Sequence, residues 1–143
     1  MKEYYMKIAI KEAEKALKNG EMPVGAVVVK NNKIIGKGYN KKEKTKNALM
    51  HAEIIAIQKA CKKNKDWRLN DCELYVTMEP CMMCIGAIVE SRIKKIYCGV
   101  ENKKSMEINK KIYATENIQF EDKIEKEIIL NQIETFFKKI RSR

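Results

Sequence analysis

The stretch LYVTMEPCMMC, residues 74–84, joins a predicted strand to a predicted helix and thereby decides the fold class. Apolar and β-branched residues at 73–77 predict a short strand. Pro80 favours a helix start, because a residue without an N–H donor loses nothing in the first turn, and residues 81–90 are the predicted helix. Residues 95–100 predict the next strand, so this strand-helix-strand passage indicates parallel pairing with a helix covering the sheet.

A helix and a hairpin are predicted on the N-terminal side of this unit. Residues from about 4 to 19 carry apolar side chains at three-to-four spacing, a pattern typical of an amphipathic helix. Residues 24–30 and 33–39 are rich in β-branched side chains, and Asn31-Asn32 between them is a turn dipeptide. These two segments are therefore predicted to pair as a hairpin.

The remaining segments complete a layered arrangement. A lysine-rich loop at 40–47 leads into a predicted helix at about 51–63, so a second strand-helix-strand passage precedes the first. A C-terminal helix is predicted from about residue 126, where apolar residues again share one stripe. Residues 101–123 are mostly polar, and no helix or strand is predicted there. The layout predicts an α/β protein with three α/β/α layers.

Length and hydropathy limit the class of protein. A chain of 143 residues is the size of one ordinary domain, so residues 1–143 are expected to form a single domain. The longest nearly apolar run, 81–89, is far shorter than the roughly 20 residues of a membrane span. Charges throughout the first turns exclude a signal-peptide core, and we expect a cytoplasmic protein with no membrane contact. Five cysteines then indicate free or metal-bound thiols rather than disulfides.

The charge balance admits two interpretations. Thirty Lys and Arg residues against nineteen Asp and Glu residues give a net charge of +11, which favours salt-dependent binding to phosphate groups. A general composition bias toward lysine explains the same excess, since only four of the basic residues are arginines. Charge alone therefore leaves nucleic-acid binding open.

Three residues form a candidate zinc site. Cys81 and Cys84 stand at i and i+3 of the predicted helix, where side chains share one face and both thiols reach one ion. His51, the single histidine, opens the preceding predicted helix and offers a third ligand. Zinc takes four tetrahedral ligands, and a catalytic site keeps one position for water. If both helices start at these motifs, their N-terminal dipoles favour thiolate over thiol.

Glu53 is the candidate catalytic residue. Two thiolates already cancel the charge of Zn²⁺, so the metal acidifies its water less than an all-imidazole site does, and a nearby base must take the proton. Side chains at i and i+2 of a helix point apart, so His51 and Glu53 suit a ligand and a proton shuttle. Taken alone, C-x-x-C also fits a redox pair, and a structural zinc module is a further alternative.

The combination of the two motifs is more specific than either one. H-x-E with P-C-x-x-C is the signature of the zinc nucleobase deaminases, in which the Glu is the acid/base and not a ligand. The expected reaction is attack of zinc-activated water on the amine-bearing ring carbon, with Glu53 protonating the ring nitrogen and then the departing ammonia.

Further segments carry a resemblance to a known family. They are Glu21–Val27, Gly38–Asn40, His51–Ile54, Trp67–Leu69, Leu74–Cys84 with Gly86-Ala87, Ser91–Ile93 and Phe136–Lys138. On these segments the chain resembles the bacterial tRNA-specific adenosine deaminases, which convert the wobble adenosine of a tRNA anticodon to inosine. The resemblance implies the cytidine deaminase fold, a mixed five-stranded sheet between helices. It also implies one Zn²⁺ per subunit and a homodimer whose interface helps to complete the site.

The resemblance also implies substrate contacts. It implies that Asn40 hydrogen-bonds the flipped base, that Pro23 and Val24 line its pocket, and that Ala52 belongs to the substrate-binding set. The C-terminal helix is implied to hold the anticodon stem. The candidate RNA contacts are Lys41, Lys42, Phe137 and Arg141. Each of these residues also has a plain structural interpretation, as a turn former, a strand start or a solvated side chain.

Two positions depart from the family pattern. Met50 stands before the histidine where relatives carry a small or polar residue, and residues 101–105 replace a longer Gly-rich loop. Both departures concern substrate contacts and leave the zinc motif intact. The alternative function is deamination of a free nucleobase or nucleoside such as guanine, cytosine or cytidine, for which a charge of +11 has no evident use.

Overall fold

The computed structural model describes residues 1–142. Its elements are α1 (Lys2–Lys18), β1 (Gly25–Lys30), β2 (Lys33–Tyr39), α2 (Lys42–Thr45), α3 (Ala52–Asn64), β3 (Cys72–Met78), α4 (Met82–Glu90), β4 (Lys95–Val100), α5 (Met106–Thr115), β5 (Gln119–Glu121) and α6 (Lys126–Arg141). The helices and strands predicted up to residue 100 are thereby confirmed, with shifts of one or two residues at their ends. Within the described residues, no helix combines the length and the apolar character needed to cross a membrane.

The five strands form one mixed sheet in the order β2-β1-β3-β4-β5. β1 pairs antiparallel with β2 in the predicted hairpin and antiparallel with β3 on its other side. β3–β4 and β4–β5 are parallel pairs, as the strand-helix-strand pattern predicted for the first of them. The crossover from β2 to β3 passes over β1, because β1 lies between them.

Helices cover both faces of the sheet. Alternate residues of β1 point to opposite faces, so Ala26 and Val28 belong to one buried cluster while Val27 and Val29 belong to the other. Side chains of α3, α4 and α5 pack on the first face, and those of α1 and α6 pack on the second. The predicted three-layer α/β/α arrangement is confirmed.

Glycines on β2 let α3 approach the sheet closely. A Cβ placed on Gly38 would lie 2.5 Å from the carbonyl oxygen of Ala52, and one on Gly36 would likewise overlap the backbone of α3. Since real Cβ atoms do not approach backbone oxygen so closely, only glycine fits at these positions. The first turn of α3 is therefore held directly against the end of β2.

The region 101–123, where no element was predicted, contains α5 and β5. The buried residues of α5 are Asn109 and Tyr113, which are polar or partly polar, so its apolar side chains do not mark the face that packs on the sheet. β5 has three residues and lies at the edge of the sheet. Polar burial and short length thus explain why hydrophobic periodicity missed both elements.

Two smaller details also differ from the sequence-based expectation. Four residues of the predicted loop at 40–47 form the short helix α2. Pro80 is not a helical residue, because Cys81 is the N-cap of α4 and Pro80 precedes it. The proline still lies at the start of the helix, but it fixes the approach of the chain rather than the first turn.

Candidate metal and active site

The site lies at the sheet edge where β2, β3 and β4 end and β1 begins. Two candidate ligands occupy equivalent places there, since His51 is the N-cap of α3 and Cys81 is the N-cap of α4. Both residues have extended backbone conformations, and neither side chain caps its own helix. Their side chains therefore remain available for another partner, beside two helix N-termini that favour negative charge.

His51, Cys81 and Cys84 converge in space. Their ligand atoms lie within 4.8 Å of one another, and among residues 1–142 no other group of three such side chains does so. The Nδ1 atom of His51 lies 3.7 Å from the sulfur of Cys81 and 3.6 Å from that of Cys84. Tetrahedral zinc with its usual bonds to nitrogen and sulfur requires a nitrogen–sulfur separation of about 3.6 Å. The donor set and its spacing both fit zinc.

The two thiols shift each other's pKa in opposite directions. The Cys84 thiol donates to the Cys81 sulfur, which with the backbone N–H groups of Cys84 and Met83 lowers the pKa of Cys81 to about 5. The same contact, together with burial, raises the pKa of Cys84 far above its ordinary value. A lowered pKa favours the thiolate form of Cys81, which is the form that binds metal, and metal binding releases the protons that the two thiols still carry.

Glu53 lies in the first turn of α3 beside these ligands and is only 3% exposed. Burial is the main cause that raises the pKa of its carboxyl to about 7, against a smaller opposing contribution from hydrogen bonding. A carboxyl with a pKa near neutrality can take and return a proton with little driving force in either direction. The environment of Glu53 therefore suits a proton shuttle.

A cavity of about 330 Å³ opens over these residues, which is within the usual range of roughly 300–1,000 Å³ for small-molecule sites. The sequence-predicted residues in its wall are His51, Glu53, Cys81, Val24, Asn40, Ala52 and Lys42. Cys84 is fully buried behind Cys81, and Pro23 is buried outside the lining. The structure thus brings the metal candidates and most of the predicted substrate contacts to one cavity.

The other candidate RNA contacts lie outside the cavity wall. Lys41 packs its ammonium group 4.7 Å from the ring centre of Tyr39, and Arg141 is exposed near the end of α6. Phe137 is 43% exposed, and its neighbour Phe136 supplies the aromatic ring that lines the cavity. Of the segments that carry these residues, Lys42 and Phe136 reach the cavity wall, whereas Lys41, Phe137 and Arg141 do not.

Asn40 is held in place by its neighbours. Its backbone N–H donates to the carbonyl of Val24 at 3.1 Å, and its side-chain Nδ2 donates to the carbonyl of Met22 at 3.2 Å. Its Oδ1 accepts the backbone N–H of Lys42 at 3.1 Å. A carboxamide has two N–H donors and two lone pairs, so Asn40 keeps one of each for a ligand.

Glu79 was missed by the sequence-based analysis, although it directly precedes the Pro80-Cys81 motif. It is 3% exposed, and its Oε2 accepts hydrogen bonds from Asn109 Nδ2 at 3.1 Å and from the Tyr113 hydroxyl at 2.9 Å. Its Oε1 accepts the backbone N–H of Asn102 at 3.2 Å. Glu79 therefore joins α5 and the loop after β4 to the motif. A charged residue at the end of an apolar strand was the available signal.

Comparison with known proteins places this site in context. A sequence model of the MafB19-like deaminase family matches residues 1–141. The tRNA-specific adenosine deaminase of Streptococcus pyogenes serotype M1 is 40% identical over 146 residues, covering 98% of this chain and 85% of that protein. The similarity therefore extends over the motifs and over the C-terminal region alike.

Solved structures give the same result at the level of the fold. A structure from a study of A-to-I editing by tRNA:A34 deaminases at the wobble position of transfer RNA has a TM-score of 0.83 and 29% identity, covering 90% of this chain and 98% of that one. A guanine deaminase from Bacillus subtilis has a TM-score of 0.67 and 37% identity, covering 78% and 74% respectively. The expected deaminase fold with a mixed five-stranded sheet is confirmed.

Proposed function

This chain belongs to the family of tRNA-specific adenosine deaminases, and on that premise we propose that it hydrolyses the wobble adenosine of a tRNA anticodon to inosine. One observation carries the proposal from the structure: a nitrogen and two sulfurs have zinc-compatible spacing, and two of these three ligands share a cavity wall with a buried glutamate. Metal-assisted hydrolysis needs both a metal-binding set and a nearby acid/base such as this glutamate. A redox pair or a structural zinc site does not need the glutamate.

The proposed metal site consists of His51, Cys81 and Cys84, which hold one Zn²⁺ per subunit. Zinc in such a site supplies a water molecule that is activated for attack on a carbon bearing an amino group. Glu53 would take a first proton from the attacking water and give it to the ring nitrogen of the base. It would then take the second proton, from the hydroxyl group formed on the ring carbon, and give it to the amino group, which leaves as ammonia. Its burial beside the ligands and its near-neutral pKa support this role.

The proposed base pocket uses the cavity wall. Asn40 hydrogen-bonds the flipped base with the side-chain N–H and the lone pair that the protein leaves unused. Val24 and Ala52 line the pocket, and Pro23 is buried behind them. Lys42 lines the same cavity, and the proposed role of Lys41, Lys42, Phe137 and Arg141 is contact with the RNA around the flipped base. A basic rim around a narrow cavity suits a base presented by a looped-out nucleotide.

We also propose a cytoplasmic homodimer in which the whole chain acts as one deaminase domain. A groove of about 680 Å³ between α4 and α5 supports the dimer, because it is lined largely by apolar side chains and starts beside Cys81. Met82 is 59% exposed there, and Ile108 is also exposed. A Cβ on Gly86 would meet no atom within 4 Å, so the monomer leaves space at that position for a close partner. A second copy covering this groove would lie next to the active site.

The proposed activity is tested by incubating the protein with adenosine-bearing anticodon stem-loops and measuring inosine after nuclease digestion. We expect inosine at the wobble position only, and none with the Glu53→Ala variant, which should still contain zinc. A wild-type protein that contains zinc and leaves every stem-loop unchanged would contradict the proposal.

Deamination of free guanine is the second candidate, because the guanine deaminase from Bacillus subtilis shares the fold and 37% identity. The same experiment with guanine, cytosine, cytidine and adenosine as free substrates separates the two functions. Turnover of any of these compounds at a kcat/KM equal to or above that for the stem-loop would favour the second candidate.

A further inference from the structure

We propose that Glu21 is a positioning residue that holds the lysine-bearing segment 41–47 at the rim of the cavity and thereby sets the affinity for polynucleotide. This inference rests on the proposed function. Glu21 lies in the cavity wall, four residues before β1, and sequence reasoning assigned it no role. The segment that it contacts follows β2 and includes α2.

The carboxylate of Glu21 is buried and depends on this segment for its hydrogen bonds. Glu21 is 1% exposed, and within the described chain no Lys, Arg or His side chain forms an ion pair with it. Its Oε1 accepts the backbone N–H of Glu43 at 3.0 Å, and its Oε2 accepts that of Lys44 at 2.7 Å. A buried carboxylate is costly unless such donors satisfy it, so Glu21 and the segment fix each other.

These contacts extend a pairing that begins at the sheet edge. Asn40 already bonds the backbone of Val24 and Met22, and Lys41 N–H donates to the carbonyl of Met50 at 2.9 Å. Without Glu21, the segment would be attached at its two ends only. The two bonds from Glu21 secure its middle, where the exposed lysines are.

The charge of the segment explains why a buried anion is useful there. Four lysines fall within six positions: Lys41, Lys42, Lys44 and Lys46. None of them forms an ion pair among residues 1–142, and Lys42 lines the cavity. Like charges at this density repel, and the carboxylate beneath the segment offsets that repulsion. The lysines are thus held beside the cavity, where the ammonium groups of Lys42, Lys44 and Lys46 form no ion pair within the described part of the chain that would compete with phosphate.

The test is the Glu21→Gln variant. An amide keeps one acceptor and turns a donor toward the second N–H, so one hydrogen bond becomes a repulsive contact and the segment shifts. We expect KM for a stem-loop to rise by about 5–30-fold, as when one or two hydrogen bonds to a charged group are removed, with kcat changed by less than about twofold. The slope of log affinity against log salt should fall by about 0.7 for each phosphate group that the lysines no longer neutralise. Glu21→Asp keeps the charge, so its KM and salt slope should lie between those of the wild type and those of Glu21→Gln.

The matched control is Glu12→Gln, since Glu12 is also buried but its carboxylate contacts Lys15 rather than the segment. In a Lys42→Ala/Lys44→Ala background, Glu21→Gln should cause little further change in KM or in the salt slope, because Glu21 acts through those lysines. Unchanged KM and salt slope, the same effect in both backgrounds, or a parallel loss of zinc and kcat would each overturn the inference. RNA affinity is also measured by fluorescence anisotropy, so failure of the wild-type protein to form inosine would count against the proposed function alone.

Discussion

Asn109 donates its side-chain N–H to the carbonyl oxygen of Pro80 at 2.9 Å, although 29 residues separate them along the chain. The bond ties α5 to the residue immediately before the candidate ligand Cys81. The same amide also donates to the buried carboxylate of Glu79. The position of Cys81 thus depends on a helix that contributes no ligand.

Asn109→Ala should therefore weaken metal binding. The variant removes one of the two donors from each of two buried acceptors, because the Tyr113 hydroxyl still bonds Glu79 and the Ser105 hydroxyl still bonds the carbonyl of Pro80. Losing these two hydrogen bonds costs about 0.5–3 kcal/mol each and loosens the backbone before Cys81. We expect a decrease of about 10–100-fold in zinc affinity, the usual effect of removing a group that supports a ligand. Competition with a zinc chelator measures it, and Lys110→Ala on the exposed side of α5 is the control. Equal affinities for the wild type and Asn109→Ala would show that α5 does not hold the site.

Glu53→Gln should separate chemistry from metal binding. The substitution keeps the size of the side chain and removes its ability to carry a proton, so kcat should fall by about 100–10,000-fold. Zinc content, measured by atomic absorption, should remain at one ion per subunit. Glu3→Gln, at an exposed position in the first turn of α1, should retain full activity. Residual activity of the Glu53 variant within tenfold of the wild type would exclude the shuttle role.

Gly38→Ala should destabilise the protein and reduce activity together. The added Cβ would lie 2.5 Å from the carbonyl oxygen of Ala52, so the first turn of α3 must move away from β2. We expect a decrease of roughly 1–3 kcal/mol in the free energy of unfolding, measured by urea titration. Because His51 and Glu53 stand at that turn, zinc affinity should fall as well. Lys37→Ala, an exposed neighbour on β2, should change neither quantity.

Gly86→Arg should dissociate the proposed dimer without unfolding the subunit. A side chain at this position meets no atom of its own subunit within 4 Å, and alanine or arginine is a better helix former than glycine. Sedimentation equilibrium should show a monomer, while circular dichroism stays unchanged. Gly86→Ala, with its much smaller side chain, should remain a dimer. If the Gly86→Arg protein remains a dimer, the dimer interface must lie on another surface.

The helices and strands that bury apolar side chains could be predicted from the sequence, and the helix that buries polar side chains could not. α1 and α3 bury apolar side chains at helical spacing, and β1 is a continuous run of small and β-branched apolar residues, so all three elements were visible in the sequence. α5 buries Asn109 and Tyr113 against Glu79, and a polar interface of this kind cannot be recognised as a buried face from hydrophobicity. His51, Cys81 and Glu53 were recognisable because metal chemistry restricts both residue type and spacing. Glu21 and Glu79 act on backbone groups that are distant in sequence, which no local pattern records.

The mixed sheet also separates the two ends of the molecule in a way that matters for engineering. Every segment that builds the cavity lies where β2, β3 and β4 end, whereas the turn at Asn31-Asn32 and the segments around Asn70 and Lys94 meet at the opposite edge. An affinity tag or a fused protein inserted at Asn31-Asn32 would project away from the catalytic edge. This turn is therefore the natural place to attach a guiding module that brings the deaminase to a chosen nucleic acid.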